Sequence, residues 1–252
     1  MPLYFKILLV KKLLPIIAAA VGLSTIVGIV ASLAPESINQ SFPVQNIQGK
    51  ATVFDRLTQY GQQTEARWQP FFAAAGIAYP PSKIVLVGLK REKKLEVYAA
   101  NNGQTMRLVR SLPILAASGK IGPKLRYGDY QVPEGIYHIE SLNPNSAFHL
   151  SLRVSYPNEQ DRAQAEIEGR TNLGGDIMIH GSNVSVGCLA MGDEAAEDLF
   201  ILAAQTGIEK MQVLLCPLDF RTNRIPSDPN RPHWVRARYT QLKTALKQLP
   251  ST

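Results

Sequence analysis

A cysteine and a histidine lie eight residues apart between Asp176 and Met191, and together they could carry out nucleophilic chemistry. His180 ends an alternating run of apolar residues, the period-two pattern typical of a half-buried strand. Cys188 follows Gly187, a residue that lets the backbone turn tightly beside the thiol. A thiol becomes a nucleophile when a base removes its proton, and a strand end holds such a base rigidly. The spacing therefore indicates a Cys188–His180 dyad, and its thiol is expected to label faster than a free cysteine.

Other interpretations of the same residues stay open. Cysteines are often buried in cores without any chemical role. In an exported protein, Cys188 and Cys216 could instead form a disulfide, which would abolish the proposed activity; Cys216, in an apolar run, is interpreted as a core residue. A metal site is not indicated, because the two cysteines and four histidines show neither Cys-x-x-Cys nor His-Glu-x-x-His spacing.

The segment Ser185-Val186-Gly187-Cys188, with His180-Gly181 shortly before it, resembles the core motif of the YkuD-type L,D-transpeptidase catalytic domain, and within that family the YafK-like branch. The resemblance spans roughly Lys83 to Pro217. Further matching segments occur in the same order, namely Gly122 to Asp129, Pro133 to Tyr137, Leu142 to Leu150, Tyr156 to Asn158, and Asp161 to Ala163. The fold that the resemblance implies is a mostly antiparallel β sandwich carrying a helix.

The resemblance also implies a reaction on peptidoglycan stem peptides. Cys188 would attack the carbonyl at the L-centre of the third stem residue, expelling the D-amino acid beyond it, and the acyl-enzyme would pass to an amine or to water. His180 would act as the base, oriented by the carbonyl of Gly181. The backbone N–H groups of Gly187 and Cys188 are candidates for the oxyanion hole. No cofactor is required.

Four further residues are candidates for substrate binding. Arg126 and Tyr156 lie in the matching segments, and Arg153 lies between two of them; all three could bind stem carboxylates, or could be surface and packing residues. Ser185 is interpreted chiefly as a turn stabiliser. Val186 stands where most family members have a second histidine, so the acyl acceptor stays open. Alternatives are hydrolysis of wall cross-links or of protein-to-wall linkages, and a non-catalytic wall-binding module.

The first 34 residues are interpreted as a targeting segment. Lys6, Lys11 and Lys12 precede the stretch from Leu13 to Ala34, which has 22 residues without a charge. As a helix this stretch would be about 33 Å long, enough to cross a bilayer. The lysines would stay cytoplasmic, which predicts a periplasmic protein anchored in the inner membrane. Pro35 disfavours cleavage after Ala34; cleavage would make the protein secreted.

The remaining chain is predicted to be mainly β with flanking helices. Residues 35–81 form a tether and a helical segment, residues 82–217 the catalytic domain, and residues 218–252 a C-terminal loop and helix. Within the domain, 84–87 and 95–98 are expected to pair as a hairpin, and Asp193 is expected to cap a helix over 194–205. The formal net charge of +7 is scattered, with no aromatic-basic stripe that would indicate nucleic-acid binding.

Overall fold

A computed structural model describes residues 49–250. The predicted membrane anchor and most of the predicted tether lie outside these residues. The helices are α1 (Val53–Ala75), α2 (Glu159–Ile167), α3 (Asp193–Thr206) and α4 (Trp234–Lys247). The strands are β1 (Lys83–Leu89), β2 (Lys94–Ala100), β3 (Arg107–Pro113), β4 (Ala116–Ala117), β5 (Gly135–Ser146), β6 (His149–Val154), β7 (Met178–His180), β8 (Leu189–Ala190) and β9 (Met211–Cys216). Within this part of the chain, no helix has both the length and the apolar composition needed to cross a membrane.

The nine strands form one mixed sheet in the order β3-β2-β1-β9-β5-β6-β7-β8-β4. The predicted hairpin of β1 and β2 is confirmed, as is the expectation of a β-rich fold with flanking helices. Six of the eight strand pairs are antiparallel, in agreement with the mostly antiparallel fold that was expected. The sheet is nevertheless mixed, because β1 pairs with β9 and β7 pairs with β8 in parallel. A parallel pair needs a crossover, and α3 lies in the connection that brings the chain to β9, which is an interior strand.

Both faces of the sheet are covered at strand β1. Ile84 and Leu86 belong to the main core with residues of α1 and α3, whereas Val85 and Val87 belong to a second core beneath α4. Successive residues of a strand point to opposite faces, so one strand contributes to both cores. Cys216 is fully buried in the second core.

The same alternation positions the candidate site on β6 and β7. Leu150, Leu152 and Ile179 face the main core. Ser151, Arg153 and His180, which alternate with them, therefore share the opposite face. Because the core residues fix the register, the fold determines which polar side chains stand next to His180.

The start of α3 differs from the prediction. Gly192 occupies the N-cap position, and Asp193 is the first helical residue rather than the cap. The Asp193 carboxylate instead accepts a hydrogen bond from the N–H of Ser182 at 2.7 Å. The N-terminus of α3 is thus tied to the turn that follows His180.

Candidate active site

The parallel register of β7 and β8 brings the cysteine and the histidine to one face of the sheet. Ile179 pairs with Leu189 and His180 with Ala190. Cys188, the residue before β8, consequently lies beside Met178, and the Met178 N–H donates to its Sγ at 3.3 Å. Met178 and His180 are two residues apart on β7 and therefore share a face. Cys188, which lies beside Met178, is thus a diagonal neighbour of His180, and their Cα atoms are about 8 Å apart.

The His180 ring is buried and held in one tautomer. Its Nδ1 lies 2.6 Å from the carbonyl oxygen of Gly181, which can only accept a hydrogen bond, so Nδ1 carries the proton and Nε2 is left as the basic nitrogen. The Phe148 ring lies against it with centroids 4.8 Å apart and planes tilted by 31°. Burial lowers the His180 pKa from its usual 6.5, opposed by the bond to Gly181. The imidazole is therefore neutral at neutral pH.

The Cys188 thiol is protonated in this arrangement. Sγ lies between the Met178 N–H and the backbone carbonyl of Asp176, the latter at 3.5 Å. Burial raises the Cys188 pKa, the Met178 N–H opposes that effect, and the Asp176 carboxylate adds to it. No hydrogen bond joins the thiol to His180 among the described residues. In this structure the thiol is thus not paired with the base that would activate it.

Both cysteines are free, which excludes the Cys188–Cys216 disulfide in this structure. Burial raises the pKa of Cys216 strongly, and its side chain is fully buried. Cys216 is thus a core residue, as the sequence interpretation had it.

The turn before Cys188 is held by two serine hydroxyls. Gly187 has φ +90°, and its N–H donates to Ser118 Oγ at 2.5 Å. The Cys188 N–H donates to Ser185 Oγ at 3.2 Å, and the same hydroxyl donates to the Cys188 carbonyl at 2.6 Å. Ser185 therefore stabilises the turn. The two N–H groups expected to form an oxyanion hole are occupied, and a substrate oxygen would have to displace a hydroxyl to reach them.

Gly181 lies in a space too small for any side chain. A Cβ at this position would stand 2.5 Å from Asp193 Oδ1 and 2.8 Å from the Phe148 carbonyl oxygen. The next residue, Ser182, has φ +61°, and its N–H is the one held by Asp193. Tight packing on three sides fixes the Gly181 carbonyl that orients His180.

Arg153 lies in line with the cysteine across the sheet. It pairs with Met178, which in turn lies beside Cys188. Its guanidinium bridges Glu140 at 2.9 Å and Asp176 at 2.6 Å. Arg153 also lines an open groove of about 700 Å³, together with His138, Glu140, Asn158 and Arg162. A charged groove thus begins at β6, on the other side of β7 from the thiol.

The other two substrate-binding candidates differ in exposure. Arg126 is exposed on the loop between β4 and β5. Tyr156 is only 3 % exposed, and its hydroxyl lies 3.4 and 3.3 Å from the carbonyl oxygens of Lys124 and Leu173. Burial raises the Tyr156 pKa. A role for Tyr156 in binding stem carboxylates does not fit this position, because the residue packs inside the domain.

The loop beside the site is organised by an ion pair whose role the sequence did not reveal. Lys124 Nζ lies 2.6 Å from Asp129 Oδ1, and the Asp129 carboxylate also accepts the N–H groups of Leu125, Arg126 and Gln131. Burial would raise the Asp129 pKa, but these hydrogen bonds outweigh it and hold the pKa below its usual value. The only sequence signal was the position of both residues within the matching segment Gly122 to Asp129.

The described residues contain no group of three or more His, Cys, Asp or Glu side chains that could hold a metal ion. A thiol and a neutral imidazole on one sheet face are the parts of a cysteine-dependent acyl-transfer site. The chain belongs to the YkuD family of L,D-transpeptidase catalytic domains, which its residues 82–212 match, just over half of its 252 residues.

Several proteins are similar to this chain over part of their length. "Putative L,D-transpeptidase YafK" of Escherichia coli K12 is 35% identical over 121 residues, covering 47% of this chain and 46% of that protein. The chain thus spans about half the length of the curated relatives it matches. The helical cell shape determining protein Pgp2 of Campylobacter jejuni aligns over 60% of this chain and 52% of its own, with 23% identity and a TM-score of 0.46. Bdellovibrio bacteriovorus Bd1075 aligns over 68% and 56%, with 19% identity and a TM-score of 0.41.

Proposed function

We propose that this protein is a peptidoglycan-modifying cysteine enzyme of the L,D-transpeptidase type. In this proposal it acts at the L-centre of the third stem-peptide residue, with Cys188 as nucleophile and His180 as base. The observation that carries the proposal is the bond from His180 Nδ1–H to the Gly181 carbonyl, which leaves Nε2 as a proton acceptor on the face that carries Cys188. Any buried histidine needs a partner for its N–H, but here the nitrogen left unprotonated also has a thiol nearby whose proton it could take.

The reaction begins from a neutral pair. The Cys188 thiol turns from the Asp176 carbonyl toward His180 Nε2, gives up its proton, and forms a bond to the substrate carbonyl carbon. His180 then returns the proton to the nitrogen of the departing D-amino acid, and the C–N bond breaks. An amine or a water molecule attacks the resulting thioester, again giving its proton to His180, and the thiol is restored. A lowered His180 pKa keeps the base unprotonated at neutral pH.

Negative charge on the substrate oxygen requires hydrogen-bond donors. The N–H groups of Gly187 and Cys188 remain our candidates. Before substrate binds, the Ser118 and Ser185 hydroxyls accept the hydrogen bonds that the substrate oxygen would later accept. Exchange of a hydroxyl for an oxyanion strengthens the hydrogen bond, because charge-assisted bonds are about twice as strong as neutral ones. Gly187 has a positive φ, a backbone conformation that costs glycine less than any other residue.

For substrate binding we propose Arg153 and the groove that it lines. The Arg153 guanidinium is 37% exposed and its two carboxylate partners are more exposed still. Such surface ion pairs contribute only about 0–1 kcal/mol, so a stem carboxylate can take the place of Asp176 or Glu140 at little cost. Arg126, exposed on the neighbouring loop, is a second candidate for the same purpose.

A non-catalytic wall-binding module is the second candidate function. The occupied N–H groups and the raised Cys188 pKa favour it, since neither helps an attack by the thiol. We rank it lower because such a module gains nothing from a neutral imidazole held near a thiol. The acyl acceptor determines the reaction: an amine gives a transpeptidase, and water gives a hydrolase. The hydrolase alternative includes hydrolysis of a protein-to-wall linkage. We further propose that residues 13–34 anchor the enzyme in the inner membrane and place it in the periplasm.

The test uses the full chain in detergent with purified sacculi, alongside Cys188→Ala and the matched variant Cys216→Ala. Muropeptides are followed by mass. New 3–3 cross-links or amine-exchanged stems, made by wild type and Cys216→Ala but not by Cys188→Ala, would support a transpeptidase. Loss of cross-links or of wall-bound protein without a new bond would support a hydrolase. Identical profiles for all three proteins would favour the binding module.

A further inference from the structure

Ser151 stands directly opposite His180 across the pair of β6 and β7. The hydrogen bonds of this pair run from Gly181 N–H to the Leu150 carbonyl and from Val154 N–H to the Ile177 carbonyl. Ser151 and His180 therefore form a non-hydrogen-bonded pair, the type in which opposite residues come closest, with Cα atoms about 4.5 Å apart. Their side chains share the face that also carries Cys188.

The Ser151 hydroxyl has no hydrogen-bond partner within the described residues, although Ser151 is only 1% exposed. A buried polar group without a partner is costly, and in native proteins such a group calls for an explanation. Alanine would fit the same strand position without that cost. Ser151 lowers the stability of the fold and lies next to the proposed base, which together point to a role in the reaction.

The other charged and titratable groups around β7 are committed elsewhere or exposed. Those on the elements packed against it are His149 and Arg153 of β6, Cys188 before β8, and Asp193, Glu194, Glu197 and Asp198 of α3. His149 pairs with Glu197, Arg153 with Glu140 and Asp176, Asp193 with the Ser182 N–H, and Asp198 with Arg67 and Arg110. Glu194 is exposed, and Cys188 bonds to the backbone of β7. Ser151 thus supplies a dipole beside the ring that is not already engaged.

We propose that Ser151 is a positioning residue that stabilises the imidazolium formed when His180 takes a proton. With no partner to hold it, the hydroxyl is able to rotate and turn its oxygen toward the ring as positive charge develops. A dipole acts strongly there because His180 and Ser151 are only 2% and 1% exposed, which shields them from water. This inference rests on the proposed function, since it assigns His180 the role of base.

The experiment compares wild type with Ser151→Ala and Thr206→Val, using the full chain in detergent and a purified disaccharide tetrapeptide. Thr206 is the matched control: its hydroxyl is also buried and has no partner in the described part of the chain, but it lies at the far end of α3. In Ser151→Ala we expect kcat to fall about tenfold with KM nearly unchanged. We also expect the acid limb of the pH profile to move to lower pH, and the unfolding midpoint to stay or rise by about 2–4 °C. Thr206→Val should show the same stability effect with wild-type kcat.

A measurement of the His180 pKa by NMR gives a second result that does not depend on turnover, since the chain has only four histidines. In Ser151→Ala the His180 pKa should fall by about one pH unit, equivalent to the tenfold loss. An unchanged His180 pKa and kcat would overturn the proposal. A lower midpoint together with an acid limb at higher pH would also overturn it, because that pattern marks simple loosening. If wild type itself turns over no substrate, the proposed function fails, and the NMR result still decides whether Ser151 stabilises the imidazolium.

Discussion

Replacing Gly181 by alanine should damage the site and the fold together. The new Cβ would stand 2.8 Å from the carbonyl oxygen of Phe148, in the tight turn between β5 and β6, and 3.0 Å from the Cβ of His149, the first residue of β6. Ordinary contacts require the two turns to move apart by roughly 0.5 Å or more. That movement would strain the Ser182–Asp193 hydrogen bond and displace the carbonyl that orients His180.

The expected magnitudes follow from that displacement. Overpacking of this kind costs about 1–3 kcal/mol, and we expect about 2 kcal/mol at Gly181. For a domain of this size, the unfolding midpoint should fall by about 4–8 °C. Since misplacing a catalytic group by 1 Å can cost about 100-fold in rate, we expect kcat to fall by roughly 10- to 100-fold.

The assay is thermal unfolding together with turnover of a purified stem tetrapeptide, and Gly61→Ala is the matched control. Gly61 lies within α1, and a Cβ there would meet nothing within 4 Å. Alanine should therefore stabilise that helix by about 0.5–1 kcal/mol and leave kcat unchanged. Wild-type stability and wild-type kcat in Gly181→Ala would refute the reasoning about this turn.

Three further predictions concern pH, substrate binding and the core. Because the His180 pKa lies below 6.5, kcat should fall only below pH 6.5. Because the Cys188 pKa is raised, the rate of its labelling by iodoacetamide should keep rising above pH 9. A labelling plateau near neutrality would contradict the raised pKa of the thiol. Arg153→Ala should raise KM for stems about three- to tenfold with little change in kcat, whereas a fall in kcat alone would place Arg153 outside substrate binding. Asp198→Ala should lower the free energy of unfolding by about 3 kcal/mol in urea titrations, since it leaves Arg67 and Arg110 without their buried partner; a loss below about 1 kcal/mol would show that these arginines find other partners.

The His180 pKa also predicts how stability responds to acid. Below pH 6.5 the unfolded chain binds a proton that folded His180 resists, so the folded state loses stability as the pH falls toward the lower folded pKa. Below that folded pKa the effect is complete. His180→Gln should remove this component, and urea titrations of both proteins between pH 7 and pH 5 measure the difference. Parallel stability curves for the two proteins would contradict the lowered pKa.

The elements that are set locally could be predicted from the sequence. The hairpin of β1 and β2 followed from the runs 84–87 and 95–98 on either side of a charged turn, and α1 from helical spacing after Thr52, which caps it. The placement of Cys188 and His180 on one face depends instead on the parallel register of β7 and β8, which no local pattern specifies.

The partners of the site residues lie far away in the chain, which is why spacing could not reveal them. Ser118 occupies the Gly187 N–H from 69 residues away. The raised pKa of Cys188 arises mainly from burial, a property of the assembled domain rather than of the motif. Asp193 was expected to be a helix cap because its residue type suits that role, but Gly192 takes it and the carboxylate holds the Ser182 turn.

The central claim is that Cys188 forms an acyl-enzyme with a stem peptide, and intact-protein mass spectrometry tests it most directly. The full chain is mixed with a purified disaccharide tetrapeptide, quenched in acid within seconds, and digested to locate the adduct. We predict a mass increase equal to the stem fragment without its terminal D-amino acid, on Cys188 and absent from Cys188→Ala. Release of the D-amino acid with no adduct on Cys188, or the same adduct in Cys188→Ala, would contradict the account.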